Sequence, residues 1–370
     1  MSHESLQLLY LSSLPPPAGG ISTWTRTLLD RGLSGGTRLR LVDTSVGGDR
    51  GVFVRGSLAY ELRRTLRILR DFAKELVQRR PDLLHINSAV ASPGLYRDWL
   101  CARLAARLGV TVVVHYHGRV LPDAGGWLRA KVRRDLAQRA QLNLALDRES
   151  ELRLGELAAG RSRVTTLPNF FDEHELPRRP CPRRGETERL KALFAAGLIP
   201  AKGYRVVMAA ARKAPEVDFH LYGRIYPKAR AELEAAPGNV VCHGEVAHSE
   251  LLTALQRAHV LVFPTRHAEG FPYVVCEAMA AGLPVVASPA GAIPEMVEAG
   301  SGGWIIEPDP EALAQALERL RQDEAKRLAM GTFNQEKAFR EYAFEPVSRR
   351  LLALYQEIES PASPGENPRT

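Results

Sequence analysis

Long apolar runs are missing from this chain of 370 residues. That excludes a helix spanning a bilayer, which needs about 20 predominantly apolar residues. The first apolar stretch, Leu6 to Leu14, is too short to span. It follows Met1-Ser2-His3-Glu4-Ser5, which lacks the positive charge that opens a secretory signal, so it reads as a first strand. Cysteine is scarce as well. Cys101, Cys181, Cys242 and Cys276 stand far apart with no C-x-x-C pair, which argues against a disulfide framework or a structural zinc site and for a reducing cytoplasm. No G-x-G-x-x-G occurs, which counts against a nicotinamide dehydrogenase. Lysine is rare: it makes up 8 of the 50 basic residues, leaving 50 − 8 = 42 arginines. No basic stretch is interleaved with stacking aromatics, so the net charge of +8 does not point to nucleic acid. An anionic lipid surface or a phosphorylated substrate suits that charge better.

What is present is an ordinary globular composition, 45% hydrophobic and 25% charged, in a chain longer than one core usually supports. Short apolar runs alternate with helical stretches: Leu6 to Leu11, Leu39 to Val42, Leu83 to Ile86 and Val110 to Val114. The alternation restarts with Leu193 to Ala196, Val217 to Tyr222, Val240 to Cys242, Val260 to Phe263, Pro284 to Ala287 and Trp304 to Ile306. Continuous apolar strands between helices predict parallel sheets covered on both faces, hence an α/β fold of two doubly wound, Rossmann-like domains. Between them, residues 177–186 carry three prolines and four arginines and read as a linker. The expected domains are therefore 1–176 and 177–343, followed by a helix at 344–359 and a disordered tail rich in proline and serine at 360–370. Ligands of such sheets sit beyond the carboxyl ends of the strands. The chemistry is expected in the loops that follow strands, lining a cleft across which the two domains face each other.

One such loop is unusual. Glu269-Gly-Phe-Pro-Tyr-Val-Val-Cys-Glu277 follows the strand Val260 to Phe263. Gly270 permits a tight turn, and Pro272 suits the first turn of a helix, where its missing N–H would have no intrahelical acceptor. The N–H groups of that first turn can take a phosphate. Glu277 lies about two turns further along, and a carboxylate there can accept from two ribose hydroxyls. Two exposed acids flanking a buried helix would be the plain alternative; the loop context favours the site.

This stretch closely resembles the E-x7-E motif of the retaining glycosyltransferases of GT-B fold, specifically glycosyltransferase family 4 (glycosyl transferases group 1). The resemblance extends to four more motifs in the same order. Gly19-Gly20-Ile21 is similar to the family's first-loop G-G-[IV], and His115-Tyr116-His117-Gly118 to its H-x-H-G. Pro168-Asn169-Phe170-Phe171-Asp172 is similar to its P-N-G-[IV]-D hinge, and the stretch from Ala196-Gly197 to Lys202-Gly203 to its G-R-L-x-x-x-K-G phosphate motif. The likeness implies that His117 and Glu269 are catalytic, that Gly19, Gly20, Lys202, Arg224, Gly270, Phe271, Pro272, Tyr273 and Glu277 bind the donor, and that Asn169 is the hinge. It also implies a final helix that crosses back to the first domain, a donor site in the C-terminal domain and an acceptor site in the N-terminal one. One position departs from the pattern: Gly197 stands where the family's phosphate-binding arginine falls, and Arg224 is the candidate replacement.

The residues support these roles on their own terms. Glycines after a first strand let backbone approach a phosphate closely, with Ser22 available to cap the following helix. Lys202 is a mobile cation at a helix start, suited to a diphosphate leaving group. His117, just past a strand end, can donate to or accept from a sugar hydroxyl. No D-x-D occurs to hold a divalent cation, so no metal and no cofactor are expected. The predicted partners are a nucleotide-diphosphate sugar donor and a saccharide or lipid-linked acceptor, as in bacterial cell-surface polysaccharide or glycolipid synthesis. A nucleotide-sugar epimerase of similar architecture, or a non-catalytic nucleotide-sugar-binding protein, is the alternative. Residues 57–80 place Leu62, Leu66, Leu69, Phe72 and Leu76 on one helical stripe and carry a net charge of 7 − 3 = +4; residues 129–139 add 5 − 1 = +4. Such helices can lie on an anionic membrane, although any helix covering a sheet has one apolar stripe. The expected location is the cytoplasm, including the inner face of the cell membrane.

Overall fold

Strand and helix alternate through both halves of the chain. The computed structural model describes residues 6–16, 19–45, 58–90, 94–120, 126–185 and 188–359, and the tail expected at 360–370 lies outside them. The chain divides into one unit of Met1–Pro168 with Val347–Thr370 and a second of Asn169–Pro346. The division falls at Pro168/Asn169 rather than 176/177. The stretch expected to be a linker belongs wholly to the second unit, because its backbone is tied down there: Gln335 Nε2 donates to Arg179 O at 2.8 Å and Arg327 Nη1 to Pro182 O at 2.8 Å.

The first unit runs β1 (Gln7–Ser12), α1 (Gly20–Arg31), β2 (Arg38–Asp43), α2 (Leu58–Gln78), β3 (Leu83–Ser88), α3 (Gly94–Arg107), β4 (Thr111–Tyr116), α4 (Gly126–Arg139), β5 (Leu142–Ala145), α5 (Arg148–Ala158) and β6 (Arg163–Thr166). Its six strands are all parallel, in the order β2-β1-β3-β4-β5-β6. Sequence patterning predicts neither β5 nor β6. Leu142-Asn-Leu-Ala145 is short and interrupted by Asn143, whose buried amide donates to Ala137 O and Ser162 Oγ; Arg163-Val-Thr-Thr166 is a partly exposed edge strand.

In a strand, successive side chains point to opposite faces. Here that rule separates two layers. Leu9, Leu11, Leu84, Ile86, Val112, Val114 and Tyr116 pack with residues of α2 to α5 in one apolar cluster. The opposite parity presents Tyr10, Ser12, His85, Asn87 and His115. These lie with Trp24 of α1 and with Tyr355 of the last helix, α13 (Phe344–Glu359), whose residues from Val347 on belong to this unit.

The second unit runs β7 (Leu190–Ala195), a 3-10 turn (Pro200–Lys202), α6 (Tyr204–Lys213), β8 (Val217–Tyr222), α7 (Pro227–Glu234), β9 (Val240–Gly244), α8 (His248–Leu255) and β10 (Val260–Phe263). It continues through α9 (Tyr273–Ala280), β11 (Val285–Ala287), α10 (Ile293–Met296), β12 (Gly303–Ile305), α11 (Pro310–Gln322) and α12 (Glu324–Glu341). The strand order is β12-β11-β10-β7-β8-β9, again all parallel. Each sheet reverses its winding direction once, between β1 and β3 and between β7 and β10, and such switch points open a crevice at the carboxyl edge.

The leucine stripe expected on α2 is split. Ile68, Phe72 and Leu76 are buried and Leu69 packs against the core, whereas Leu62 and Leu66 are 59% and 56% exposed. Among the described residues, no helix is long and apolar enough to cross a membrane. Phe72→Ala should therefore cost about 3–5 kcal/mol in urea unfolding followed by circular dichroism. Leu66→Ala should change stability by no more than about 0.5 kcal/mol. Equal losses would mean that α2 buries another face.

Candidate functional site

At the second unit's switch point, the loops after β7 and β10 are stitched together. Arg266 N donates to Ala201 O at 2.8 Å. Gly203, at φ +91°, passes so close to the neighbouring loop that a Cβ would sit 2.0 Å from Pro264 O. Only glycine permits that approach, and the approach carries Lys202 across to the second loop. Lys202 Nζ donates to both oxygens of Glu269, at 2.7 and 2.9 Å. Thr265 Oγ1 accepts from His267 N at 3.0 Å and lies 2.9 Å from Glu269 Oε1, so its proton goes to the carboxylate. Glu269 is buried, and a buried carboxylate is tolerated only with such partners. The loop after β11 closes behind it. At Gly291, φ +55°, a Cβ would lie 1.9 Å from Glu269 O, and Ala292 N donates to Gly270 O at 2.9 Å.

Pro272 is the N-cap residue of α9 and makes no side-chain cap bond. The remaining donor-binding candidates of this segment divide. Phe271 is turned into the core, edge-on to Tyr342 at 5.3 Å between ring centroids, so its side chain is a packing group. The Tyr273 hydroxyl is enclosed without a hydrogen-bond partner among the described residues, and burial pushes its pKa well above the ordinary value. Glu277 is buried on α9 and does not join Glu269. It accepts from His248 Nε2 at 2.8 Å, at the start of α8, and His248 Nδ1 lies 3.4 Å from Glu175 Oε2. Hydrogen bonding to the Glu277 carboxylate raises the His248 pKa above its ordinary value.

Gly197 lies beside Tyr226, whose Cε2 would be 3.3 Å from an added Cβ. The Arg224 guanidinium lies over the same ring at 6.0 Å, and Leu198 N donates to Arg224 O at 2.9 Å. A cation is thus present next to the position where the sequence lacks an arginine, carried by the neighbouring loop. Asn169 begins the second unit, and its buried Oδ1 has no hydrogen-bond partner among the described residues.

In the first unit, Gly19 precedes α1 with extended backbone, φ −177°, a conformation open to any residue, and Gly20 is the first helical residue. Ser22 is not the cap. It is buried within α1, and its hydroxyl donates back to Gly19 O at 3.0 Å. His117 follows β4 and is half-buried, with its Nε2 2.9 Å from Asn87 Oδ1. Asn87 in turn meets His85 Nε2 at 3.0 Å and Ser12 Oγ at 2.9 Å. Burial holds His115 down to a pKa of about 3 and His85 well below its ordinary value, so both are neutral.

Sequence reading missed Thr265, His248, Asn87 and Tyr355. Two of them leave a signal. Asn87 shares the H-x-N spacing of His85 with the H-x-H of β4, and Thr265 sits in the same post-strand loop as Glu269. The other two meet their partners only through tertiary packing.

Comparison with known proteins gives a consistent picture. A family model described as glycosyl transferases group 1 matches residues 189–323, and one described as glycosyl transferase 4-like domain matches residues 25–169. The chain is similar to D-inositol 3-phosphate glycosyltransferase of Corynebacterium urealyticum, 36% identical over 120 residues, 32% of this chain and 27% of that one. It is also similar to the amylovoran biosynthesis glycosyltransferase AmsK of Erwinia amylovora, 33% identical over 177 residues, 42% of this chain and 44% of that one. The matches thus span between about a quarter and a half of these relatives' lengths. Among solved structures, Anabaena HepE in complex with UDP and glucose superposes with a TM-score of 0.70 at 16% identity, covering 95% of this chain and all of that one. The likeness assigns the GT-B fold.

The His248 contact can be checked directly. A histidine whose pKa is raised by folding contributes stability that is fully present below about pH 6.5 and is lost as pH rises through the raised value. Proton NMR titration should find His248 above about 6.5, and Glu277→Gln should bring it down towards that value. A native His248 that titrates at or below the ordinary value would contradict the pairing.

Proposed function

Since the chain belongs to the group 1 glycosyltransferases, we propose that it transfers a glycosyl group from a nucleoside-diphosphate donor to a saccharide or lipid-linked acceptor, with retention at the anomeric carbon. The observation that carries this reading is the Lys202–Glu269–Thr265 cluster at the switch point of the second sheet. It sets an ammonium and a carboxylate, paired with each other, ahead of the first turn of α9, which suits a diphosphate joined to a sugar. In this reading the second unit holds the donor. Glu277 accepts from the ribose hydroxyls, Lys202 and Arg224 take the diphosphate charge, and Glu269 accepts from a hydroxyl of the transferred sugar. The bond from the anomeric carbon to the diphosphate oxygen breaks, and the acceptor oxygen bonds to the same face of that carbon. The acceptor's proton leaves on the diphosphate. In the first unit, His117 addresses a sugar hydroxyl, and the backbone of Gly19 and Gly20 at the start of α1 faces the donor. The missing D-x-D supports a reaction without a divalent cation. The names of two relatives, one in amylovoran biosynthesis and one a phosphatidylinositol monomannoside mannosyltransferase, favour surface polysaccharide or glycolipid synthesis as the setting.

The test is turnover with a panel of UDP-, GDP- and ADP-sugars, with and without EDTA, and NMR of the product's anomeric configuration. One donor should be consumed in EDTA, giving a product with the donor's configuration. Glu277→Gln should weaken nucleotide binding by about 1.5–3 kcal/mol, roughly ten- to a hundredfold. Loss of turnover in EDTA, an inverted product or unchanged affinity would each remove the corresponding part.

The acceptor side of the proposal is a membrane surface. Leu62 and Leu66 are exposed on α2 next to Arg63, Arg67 and Arg70, and Trp127, 77% exposed, and Leu128 open α4 ahead of Lys131 and Arg134. Both helices cover the same face of the sheet and start at its carboxyl edge. Apolar side chains ringed by arginine match an anionic headgroup layer, where each cation contributes about 1 kcal/mol. Vesicle co-sedimentation should show binding to anionic but not neutral lipid. Release is expected in 1 M salt, where the Debye length is about 3 Å, and binding should be lost in Leu62→Asp/Leu66→Asp and in Arg63→Glu/Arg67→Glu/Arg70→Glu. Sedimentation indifferent to lipid charge, salt and these changes would make a soluble acceptor the reading.

A further inference from the structure

The amino-terminal edge of the first sheet carries positive charge that neither the packing nor the proposed reaction uses. A pocket of about 730 Å³ opens there, lined by Gln7, Arg38, Leu39, Arg40, Arg79 and Arg80. Register explains how the arginines converge. β2 is an edge strand, and its Arg38 and Arg40 pair with Gln7 and Leu9 of β1. Partners in a parallel pair share a face, and Leu9 belongs to the layer under α2, so both arginines stand on that side. α2 ends there at Gln78, and Arg79 and Arg80 follow it on the way into β3.

Helix ends account for two of the four. Arg40 donates through Nη1 to Glu75 at 2.7 Å and through Nη2 to Arg79 O, and Arg80 Nη2 donates to Leu108 O at 2.6 Å, just past α3. These bonds cap the carbonyl ends of α2 and α3, where a cation is favoured. They leave Arg38 and Arg79 unexplained. Both are exposed, and among the described residues their guanidinium groups have no acidic or carbonyl partner. Against the four arginines stand Glu75, on Arg40, and Asp82, whose Oδ2 accepts from Gln7 N at 2.7 Å, which leaves an excess of 4 − 2 = +2. A concave site lined by one sign of charge concentrates counter-ions. Guanidinium forks take phosphate oxygens in pairs, and the volume is that of a small-molecule site rather than of a flat headgroup layer. His117 and Gly19-Gly20 follow the opposite ends of β4 and β1, so this pocket is no part of the site already described.

We propose that this pocket is a second anion site, which binds a small soluble compound bearing phosphate groups and at least two negative charges. Arg38, Arg79 and the remaining donors of Arg80 make the contacts. Arg40, paired with Glu75, holds the main chain of Arg79 in place. The inference does not depend on glycosyl transfer.

Isothermal titration of the full chain with inorganic tripolyphosphate, at fixed ionic strength, measures the affinity, and NMR of the arginine Nε–H groups locates the ion. The Nε signals of Arg38 and Arg79, assigned through Arg38→Lys and Arg79→Lys, should shift on titration. Arg38→Glu/Arg79→Glu should weaken binding by roughly tenfold or more. Neither side chain has a partner to lose, so the melting temperature of that variant should not fall. Arg63→Glu/Arg67→Glu/Arg70→Glu reverses three charges elsewhere on the same unit and should leave the affinity within about twofold. Equal losses in the two sets of reversals would reduce the effect to unspecific charge attraction and overturn the proposal. So would the absence of binding. Binding lost in Lys202→Ala, with the Arg38 and Arg79 signals unmoved, would place the ion on the donor side and overturn it too. Anionic vesicles present the same phosphates as headgroups. If Arg38→Glu/Arg79→Glu abolished vesicle binding but left tripolyphosphate binding intact, the pocket would be a lipid contact and the soluble ligand would be refuted.

Discussion

A parallel sheet covered on both faces must divide its side chains between two layers, and the period of two leaves no choice about which residue goes where. Most of what is distinctive in this protein follows from that constraint. In the first unit one parity is apolar and packs under α2 to α5. The other parity carries Tyr10, Ser12, His85, Asn87 and His115, yet it is just as buried. Tyr10, Ser12, His85 and Asn87 in this layer are tied into one hydrogen-bond network, with Tyr355 between Tyr10 and His85. The network reaches from Thr25 of α1 to Tyr355 of α13 and includes His117, just past the end of β4.

The second constraint is topological. Each sheet changes winding direction once, and the loops on either side of that point leave neighbouring strands at the sheet's carboxyl edge. In the second unit those are the loops bearing Lys202 and Glu269, which lie far apart in sequence and are joined at 2.7 Å. Burying Glu269 without its cation and the Thr265 hydroxyl would be costly. The same interactions that make the loop stable therefore hold ready the cation and the acceptor that the proposed reaction uses. Glu277 follows a parallel logic with a different partner, His248, so the two glutamates of one motif are held by separate devices.

The family membership and the structure agree on architecture while local details differ from the motif pattern. The arginine absent at Gly197 has a neighbour in Arg224, brought alongside by the pairing of the loops after β7 and β8. Phe271 and Tyr273, which sit inside the strongest motif, serve mainly to pack. The proline-rich stretch at 177–185 is a strap across α12, because its carbonyls accept from Gln335 and Arg327.

Much was legible in the sequence because strand burial is a local property. Short apolar runs such as Leu83 to Ile86 and Val260 to Phe263 read by their length as buried strands, and alternation with helices implies parallel sheets. The E-x7-E stretch likewise marks a post-strand loop that opens a helix. Patterning falls short where a strand is brief or polar, as at Leu142–Ala145 and Arg163–Thr166, and where two faces of a helix differ only in what covers them, as along α2. The partners of the site residues were beyond its reach altogether. Lys202 meeting Glu269, His248 meeting Glu277 and Tyr355 meeting His85 join residues that are 67, 29 and 270 positions apart. Sequence determines which side chains are available and which parity they occupy, whereas hydrogen bonds between distant segments exist only once strand order and helix packing have brought those segments within about 3 Å.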